Sequence, residues 1–137
     1  MRKLLLLVAV MALVLPEATQ AVTNNNSTSY TTNGISLEMF DPAGSVYQQG
    51  ESVRFAVRSD QDAYVVVFNI DTDGYVNLLY PRNSRSIQSF VGGVSYSIPT
   101  NADMDLLVTG KTGIEFVFAV SIKDRNAIST DQLASLL

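Results

Sequence analysis

Aspartates form the first set of side chains whose types and spacing could do chemistry. A single residue separates Asp71 from Asp73, and Gly74 follows, as at the start of a calcium-binding loop. A full loop of that kind ends in a bidentate glutamate at its twelfth position, and here that position is Arg82, a cation. Because Asp-Gly is also a strong hairpin signal, we interpret the segment as a turn and keep Asp71 and Asp73 only as weak metal-ligand candidates.

Further acidic pairs, Asp60/Asp62 and Asp103/Asp105, fall in predicted loops. Two carboxylates at a suitable separation can hydrolyse glycosides, and Asp60 or Asp62 could also complete a simple cation site beside the turn at Asp71. Acidic side chains in loops are mostly exposed to water, however, so we interpret these pairs as surface groups that favour solubility. A small hydrolase is therefore only a minor hypothesis.

The chain contains no histidine and no cysteine. This removes the common zinc sites, cysteine nucleophiles and every histidine-based catalytic triad, and it removes disulfide bonds. Catalysis by a serine and a lysine needs a lysine that burial keeps neutral, whereas Lys111 and Lys123 are both predicted at exposed turns. Gly110-Lys111-Thr112 also lacks the first glycine of a phosphate-binding loop, because Asp105 takes that position. We therefore expect a protein that is not an enzyme and holds no cofactor.

One segment, residues 79–85, combines groups that suit recognition. It contains an aromatic ring, two guanidinium groups and a side-chain amide, which belong to Tyr80, Arg82, Arg85 and Asn83. Arginine can hold a carboxylate through two parallel hydrogen bonds, and a tyrosine ring offers a flat face to a sugar or a peptide. We take these four residues as candidate ligand or partner contacts. The alternative is a strand-ending tyrosine in the core, followed by solvated arginines.

The first 21 residues have the three parts of a cleavable secretory signal peptide. Arg2 and Lys3 give the positive start, and residues 4–15 form an uninterrupted apolar run. A transmembrane helix needs about 20 apolar residues, so this run is short for a membrane anchor. Ala21 offers a small residue to signal peptidase, and we predict cleavage between Ala21 and Val22. We expect an exported protein, periplasmic or secreted, that meets the membrane only before cleavage; an uncleaved anchor is the alternative.

Residues 22–33 form a polar, low-complexity stretch. We predict a flexible leader here, because the stretch lacks the apolar side chains that offset the entropy of ordering. Removal of residues 1–21 takes Arg2, Lys3 and Glu17 from 9 basic and 13 acidic residues, which leaves a net charge of −5. That charge argues against a nucleic-acid partner. The 116 residues that remain of 137 suffice for one domain.

From Gly34 onward the apolar residues recur with the period of two that is typical of β-strands. We predict strands over residues 35–40, 53–58, 63–70, 76–80, 87–90, 94–98, 106–108 and 114–122. Several short strands separated by turn signals predict an all-β fold. We expect a small antiparallel β-sandwich of immunoglobulin-like architecture over residues 34–125.

Two of these strands and one turn carry more specific expectations. Residues 63–70 are apolar on both faces, as in a central strand that is covered on both sides. One face of the last strand is entirely apolar and consists of Ile114, Phe116, Phe118, Val120 and Ile122. Gly92-Gly93 is predicted to close a hairpin between residues 87–90 and 94–98.

The end of the chain, residues 126–137, has a different pattern. Ser129 and Gln132 have the spacing of a helix capping box, and leucines at helical spacing follow them. We expect one or two turns of helix that cover an open edge of the sandwich. So short a helix would be marginal on its own.

A set of motifs runs through the middle of the chain. In order these are Tyr47-Gln48-Gln49-Gly50, the alternating strand 53–57, Tyr64, Asp73-Gly74, Leu79-Tyr80-Pro81, Gly93, Ile98-Pro99 and Gly113-Ile114-Glu115. As a set they resemble the bacterial domain of unknown function family DUF4384, over roughly residues 46–120. The resemblance implies an envelope-associated or accessory module. Since no activity is established for such domains, it implies no catalytic residue.

These observations together predict a non-enzymatic binding or accessory module of the bacterial cell envelope. Its expected partner is an envelope protein or a glycan. A second hypothesis is an inhibitor or chaperone-like partner of an exported protein, acting through a sheet edge or through the 81–85 loop.

Overall fold

The structure is a computed structural model that describes residues 3–8, 20–24, 27–41, 46–83, 86–100 and 105–127. The strands are β1 (Lys3–Val8), β2 (Gln20–Asn24), β3 (Ser27–Thr32), β4 (Ile35–Met39), β5 (Val46–Gln48), β6 (Ser52–Val53), β7 (Phe55–Ser59), β8 (Ala63–Ile70), β9 (Val76–Tyr80), β10 (Ser89–Phe90), β11 (Ser95–Ile98), β12 (Leu106–Leu107) and β13 (Ile114–Ile122). A single 3₁₀ turn follows at Arg125–Ala127. The helix predicted within 126–137 falls beyond Ala127, outside the described residues.

No helix among the described residues is long and apolar enough to span a bilayer.

Two large sheets supply the core. The first has the order β10-β8-β13-β1-β5, the second has the order β11-β7-β4-β3-β2, and β12 pairs with β6 in a small third sheet. The buried cluster draws on both large sheets, with Ile35, Leu37, Met39, Phe55, Val57 and Ile98 from the second and Val65, Val67, Phe90, Val117 and Ala119 from the first. Among the described pairings only β1 with β13 is parallel. The predicted all-β sandwich is confirmed.

The strands β9 and β10 share one edge of β8. β9 pairs with the second half of β8, from Val67 to Ile70, whereas β10 pairs with its first two residues. The other edge of β8 belongs to β13. The chain therefore leaves this edge after Tyr80, at the buried Pro81, and returns to the same edge at Ser89.

The hairpin predicted around Gly92-Gly93 is wrong, because β10 and β11 lie in different sheets. The chain instead passes from the first sheet to the second at these two glycines, which contact the turn that links β7 to β8. The Gly93 N–H donates to the Ser59 carbonyl at 2.7 Å. A Cβ on Gly92 would come within 2.8 Å of the Gln61 Cα, so this close approach needs glycine.

The described part of residues 22–33 is not a flexible leader. β2 pairs with β3, and β3 pairs in turn with β4. Threonine and tyrosine favour strands, and Tyr30 packs against the core cluster. The prediction failed because it counted apolar side chains and did not include the backbone hydrogen bonds that pairing with β4 supplies.

Part of the predicted signal peptide also lies in a sheet. β1 is parallel to β13, with Leu5 opposite Ile114 and Val8 opposite Val117, and antiparallel to β5. The predicted cleavage point between Ala21 and Val22 lies within β2. Cleavage there would remove the whole of β1 and the first residues of β2.

The sequence shows one entirely apolar face on β13, and in the structure this face lies on the outer side of the first sheet. Ile114 and Phe116 are 46% and 37% exposed, whereas the residues that face the core are Glu115, Val117 and Ala119. The outer face of β8 is likewise only partly covered, because Phe68 is half-buried while Val67 is fully buried. The expectation that β8 is covered on both sides therefore holds only in part.

Candidate functional site

A pocket of about 310 Å³ lies between the first sheet and the small β6/β12 sheet. Its apolar wall consists of Val53, Phe55, Leu79, Leu106, Leu107, Val108 and Val117. Its polar side chains are Asn69, Asp71, Thr72, Asp73, Asn77, Thr109, Lys111 and Glu115. We call this the Glu115 pocket, after its most buried ionisable residue.

Glu115 and Asn69 form the buried polar part of the pocket. Glu115 is only 9% exposed, and the Asn69 Nδ2 donates a hydrogen bond to Glu115 Oε2 at 2.7 Å. Burial raises the pKa of Glu115, the hydrogen bond from Asn69 offsets part of this rise, and the charge of Asp71 adds to it. Asn69 Oδ1 is buried and has no hydrogen-bond partner among the described residues. The pocket thus brings a buried carboxyl group together with a buried amide oxygen that has no partner among the described residues.

Strand alternation places these two residues inside the sandwich. Val65 and Val67 face the core from β8, so Asn69, two residues farther along, faces the same way. Asn69 lies opposite Val117 in the pairing of β8 with β13, and Glu115 is two residues from Val117 on the same face. The inward row of the sheet therefore changes from apolar to polar at the pocket.

Asp71 shapes the turn beside the pocket. Its Oδ1 accepts hydrogen bonds from the N–H groups of Asp73 at 3.0 Å and Tyr75 at 2.9 Å, and its Oδ2 accepts one from Asn77 at 3.3 Å. Desolvation alone would raise the pKa of Asp71, but these hydrogen bonds, led by that from Tyr75, outweigh it and hold the pKa below its ordinary value. Gly74 completes the turn with φ of 87°.

Asp73 connects this turn to the next one. The Lys111 Nζ donates to Asp73 Oδ1 at 2.8 Å, and both side chains are substantially exposed, at 69% and 44%. The hydrogen bond to Asp73 and its negative charge raise the pKa of Lys111, so the amine is a cation. Within the described residues no three acidic, histidine or cysteine side chains are grouped to hold a metal ion. The structure gives Asp71 and Asp73 the roles of a turn cap and an ion-pair partner.

The other acidic residues also have local partners. Asp60 lies 3.8 Å from an Arg58 nitrogen, and Asp62 Oδ1 accepts the Gly92 N–H at 2.8 Å. Asp105 accepts a hydrogen bond from Ser52 at 3.0 Å. Asp103 lies outside the described residues.

Tyr80 is a core residue. It is 8% exposed, and its ring centroid lies 5.4 Å from that of Phe90. Burial raises the pKa of Tyr80. The structure therefore places this ring in the core, where the alternative of a strand-ending core tyrosine puts it. Arg82 and Asn83 are exposed but do not line the Glu115 pocket, and Arg85 lies outside the described residues.

Comparison with protein families gives one match. The profile of the family described as Domain of unknown function (DUF4384) matches residues 46–123, more than half of the chain. The chain belongs to this family. The matched range runs from β5 to the residue after β13, and it contains every described residue that lines the Glu115 pocket. Comparisons with curated proteins and with solved structures gave no match.

The sequence of this DUF4384 domain did not predict Asn69 and Glu115 as site residues. Each is the one strongly polar residue in its strand, Asn69 in β8 and Glu115 in β13. Glutamate is almost never buried without a partner, so a glutamate between two apolar residues of a central strand was the available signal. What the sequence did not contain was the register that brings the two residues together.

Proposed function

We propose that this chain is an exported, non-enzymatic β-sandwich module of the bacterial cell envelope, which binds a ligand in the Glu115 pocket. The observation that carries the proposal is the buried Asn69 Oδ1, which lacks a partner beside the buried Glu115. A buried polar atom left unpaired costs about 1–3 kcal/mol. A ligand that donates a hydrogen bond to Asn69 Oδ1 would recover that free energy.

The walls and size of the pocket narrow the chemistry of the ligand. A volume of about 310 Å³ is at the small end for ligand sites, so it fits one sugar ring or one side chain. Hydroxyl groups can donate to Asn69 and Glu115, and the apolar face of a sugar can pack against Leu79 and Val53. We therefore favour a terminal sugar of an envelope glycan. An amino group on a peptide is the second choice, because it also donates hydrogen bonds.

Several features support binding without catalysis. The sequence has neither histidine nor cysteine, and Lys111 is an exposed cation, not a neutral nucleophile. Asp71 and Asp73 are engaged in the turn and the ion pair. If the domain hydrolysed a glycoside through these two acids, turnover would be lost in the Asp71→Asn, Asp73→Asn double variant. Turnover that survives in this variant would remove the pair from consideration.

Export is supported by the positive start and the apolar run at the N-terminus. Cleavage between Ala21 and Val22 has to precede folding, because in the folded chain this bond lies in the paired strand β2. The mass of the protein purified from the export compartment tests the proposal. We expect a chain that begins at Val22, and a chain that keeps Lys3–Val8 would contradict cleavage.

The ligand proposal is tested with a panel of monosaccharides, amino sugars and dipeptides, measured by ligand-observed NMR. We expect at least one sugar to bind the wild-type chain and to lose binding in Asn69→Leu, which keeps the side-chain size but removes the amide oxygen. Lys123→Ala is the matched control, because Lys123 is exposed and lies outside the pocket. Absence of binding by every sugar, or binding that persists in Asn69→Leu, would overturn the proposal.

The second hypothesis, an inhibitor or chaperone-like module, is favoured by a different observation. Val46 and Ile114, on the two strands that flank β1, expose 52% and 46% of their surface. If cleavage removes β1, Ile114 comes to lie at an open strand edge, and apolar side chains at such an edge suit recognition of an extended segment of another protein.

A further inference from the structure

The strand β1 fills a gap between two strands of the first sheet. It pairs with β13 on one side, from Leu5 opposite Ile114 to Val8 opposite Val117. On the other side it pairs with β5, from Lys3 opposite Gln48 to Leu5 opposite Val46. A strand between two others forms hydrogen bonds along both edges. Its removal therefore leaves unpaired N–H and C=O groups on β13 and on β5.

The two strands that flank the gap are held in place without β1. β13 pairs with β8 along residues 116–122. In β5, Tyr47 is buried and its hydroxyl donates to Asp41 Oδ2 at 2.6 Å. Just after β5, the Gly50 N–H donates to the Val108 carbonyl at 2.8 Å. These contacts of β13 and β5 do not involve β1.

Apolar side chains flank the same gap. In the register of the sheet, Val46 and Ile114 both lie opposite Leu5, and Phe116 lies opposite Leu7. Even with β1 in place, these three side chains are 52%, 46% and 37% exposed. An apolar segment would cover them better than a polar one, and the chain's own occupant of the gap, KLLLLV, is apolar after its first residue.

We propose that cleavage during export opens this gap, the β1 slot, and that an extended apolar segment of another exported protein fills it. The slot consists of the β13 edge at residues 114–117 and the β5 edge at residues 46–48. The segment runs parallel to β13, as β1 does. An unpaired edge bordered by apolar groups is prone to aggregation, so a bound segment also protects the module. The inference rests on the cleavage step of the proposed function and is independent of the Glu115 pocket.

The test begins with the chain purified from the export compartment of a bacterial host. A mass that includes residues 3–8 overturns the proposal, because the slot is then filled by the chain itself. The cleaved chain is mixed with a synthetic peptide of residues 2–9, which carries Leu5→Cys and a solubilising lysine tail. The natural chain has no cysteine, so Ile114→Cys or Val46→Cys introduces a single thiol. With oxidised glutathione added as the oxidant, we expect the peptide to form a disulfide with either variant, since both positions lie opposite residue 5.

Two controls make the result specific. Ile122→Cys lies on the same strand and face but pairs with Tyr64 of β8, beyond the register of β1, and should not react. A second peptide with Leu6→Pro loses a ladder hydrogen bond and should react about tenfold less. Equal reaction of Ile122→Cys and Ile114→Cys, or equal reaction of the two peptides, would overturn the proposal.

Hydrogen exchange on the unmodified cleaved chain provides a measurement that needs no variant. We expect the peptide to slow exchange of amides at residues 46–48 and 114–117. Unchanged exchange at saturating peptide would contradict the slot. Sugar binding by the same cleaved preparation distinguishes the two proposals, because the Glu115 pocket can bind its ligand whether or not the β1 slot accepts a strand.

Discussion

On the inner face of the first sheet, Val65, Val67 and Ala119 are fully buried, whereas on the outer face Ile114 and Phe116 stay 46% and 37% exposed. Both faces carry apolar side chains in alternation. The difference arises because the second sheet packs on the inner face. Apolar character alone therefore does not define the core of this protein; the position of the second sheet does.

The largest difference between the two faces is expected in the unfolding free energies of two phenylalanine-to-alanine variants, one on each face. Phe90 is 2% exposed, and its ring stacks on that of Tyr96 at a centroid distance of 4.1 Å. We expect Phe90→Ala to cost about 3–5 kcal/mol of unfolding free energy. Phe116→Ala should cost less than about 1 kcal/mol, because its ring is already partly in water. Urea unfolding of the two variants measures both values.

An equal loss in the two variants would contradict the comparison, since it would mean that the outer face is buried in solution. Sedimentation of the wild-type chain at several concentrations then shows whether a second copy covers it.

Removal of the Glu115 charge on the inner face should give the next largest change in unfolding free energy. Because burial raises the folded-state pKa of Glu115 above its unfolded value, its contribution to stability is present below the unfolded pKa and is lost as pH rises through the folded pKa. Glu115→Gln has no charge, and its amide can donate to Asn69 Oδ1. We expect this variant to be about 1 kcal/mol more stable than wild type at pH 8, with the difference shrinking towards pH 4.

Urea unfolding across this pH range measures the difference. Glu38→Gln is the control, because Glu38 lies in β4, outside the pocket, and its replacement should give a smaller change. A Glu115→Gln variant that is less stable than wild type at pH 8 would show that the hydrogen bond from Asn69 to the ionised carboxylate outweighs the cost of burying the charge.

A smaller effect is expected on the outer face, where Phe68 and Phe118 stack with ring centroids 5.2 Å apart and an interplanar angle of 18°. A double-mutant cycle of Phe68→Ala and Phe118→Ala should give a coupling of about 0.5–1 kcal/mol. As a control, the stability losses of Phe40→Ala and Phe68→Ala should simply add, because the rings of Phe40 and Phe68 form no stacked pair. A coupling of zero between Phe68 and Phe118 would mean that the outer rings are not ordered.

The sequence predicted three strands with the bounds that the structure shows, namely residues 63–70, 76–80 and 114–122, and a fourth, predicted over 35–40, ends one residue earlier in β4. These segments alternate strongly and are bounded by Gly74, Pro81 and Gly113. Local pattern is sufficient there, because each boundary depends on the residues beside it.

The features that the sequence did not predict depend on distant parts of the chain. The Gly92 crossing depends on the approach of Gln61, and the parallel pairing of β1 depends on β13, at the other end of the chain. The turn at Asp71 was predicted because its hydrogen bonds are local. The contact between Asn69 and Glu115 joins residues 46 positions apart, so it follows from the register of β8 and β13 and not from any motif.

The shared edge of β8 has a consequence for how this domain tolerates change. Since β9 and β10 both pair with that one strand, the chain between Tyr80 and Ser89 starts and finishes on the same rigid support. Extra residues inserted between these points would lengthen the connection without changing the pairing of β9 or β10 with β8. This is where we would place an epitope tag or a fluorophore.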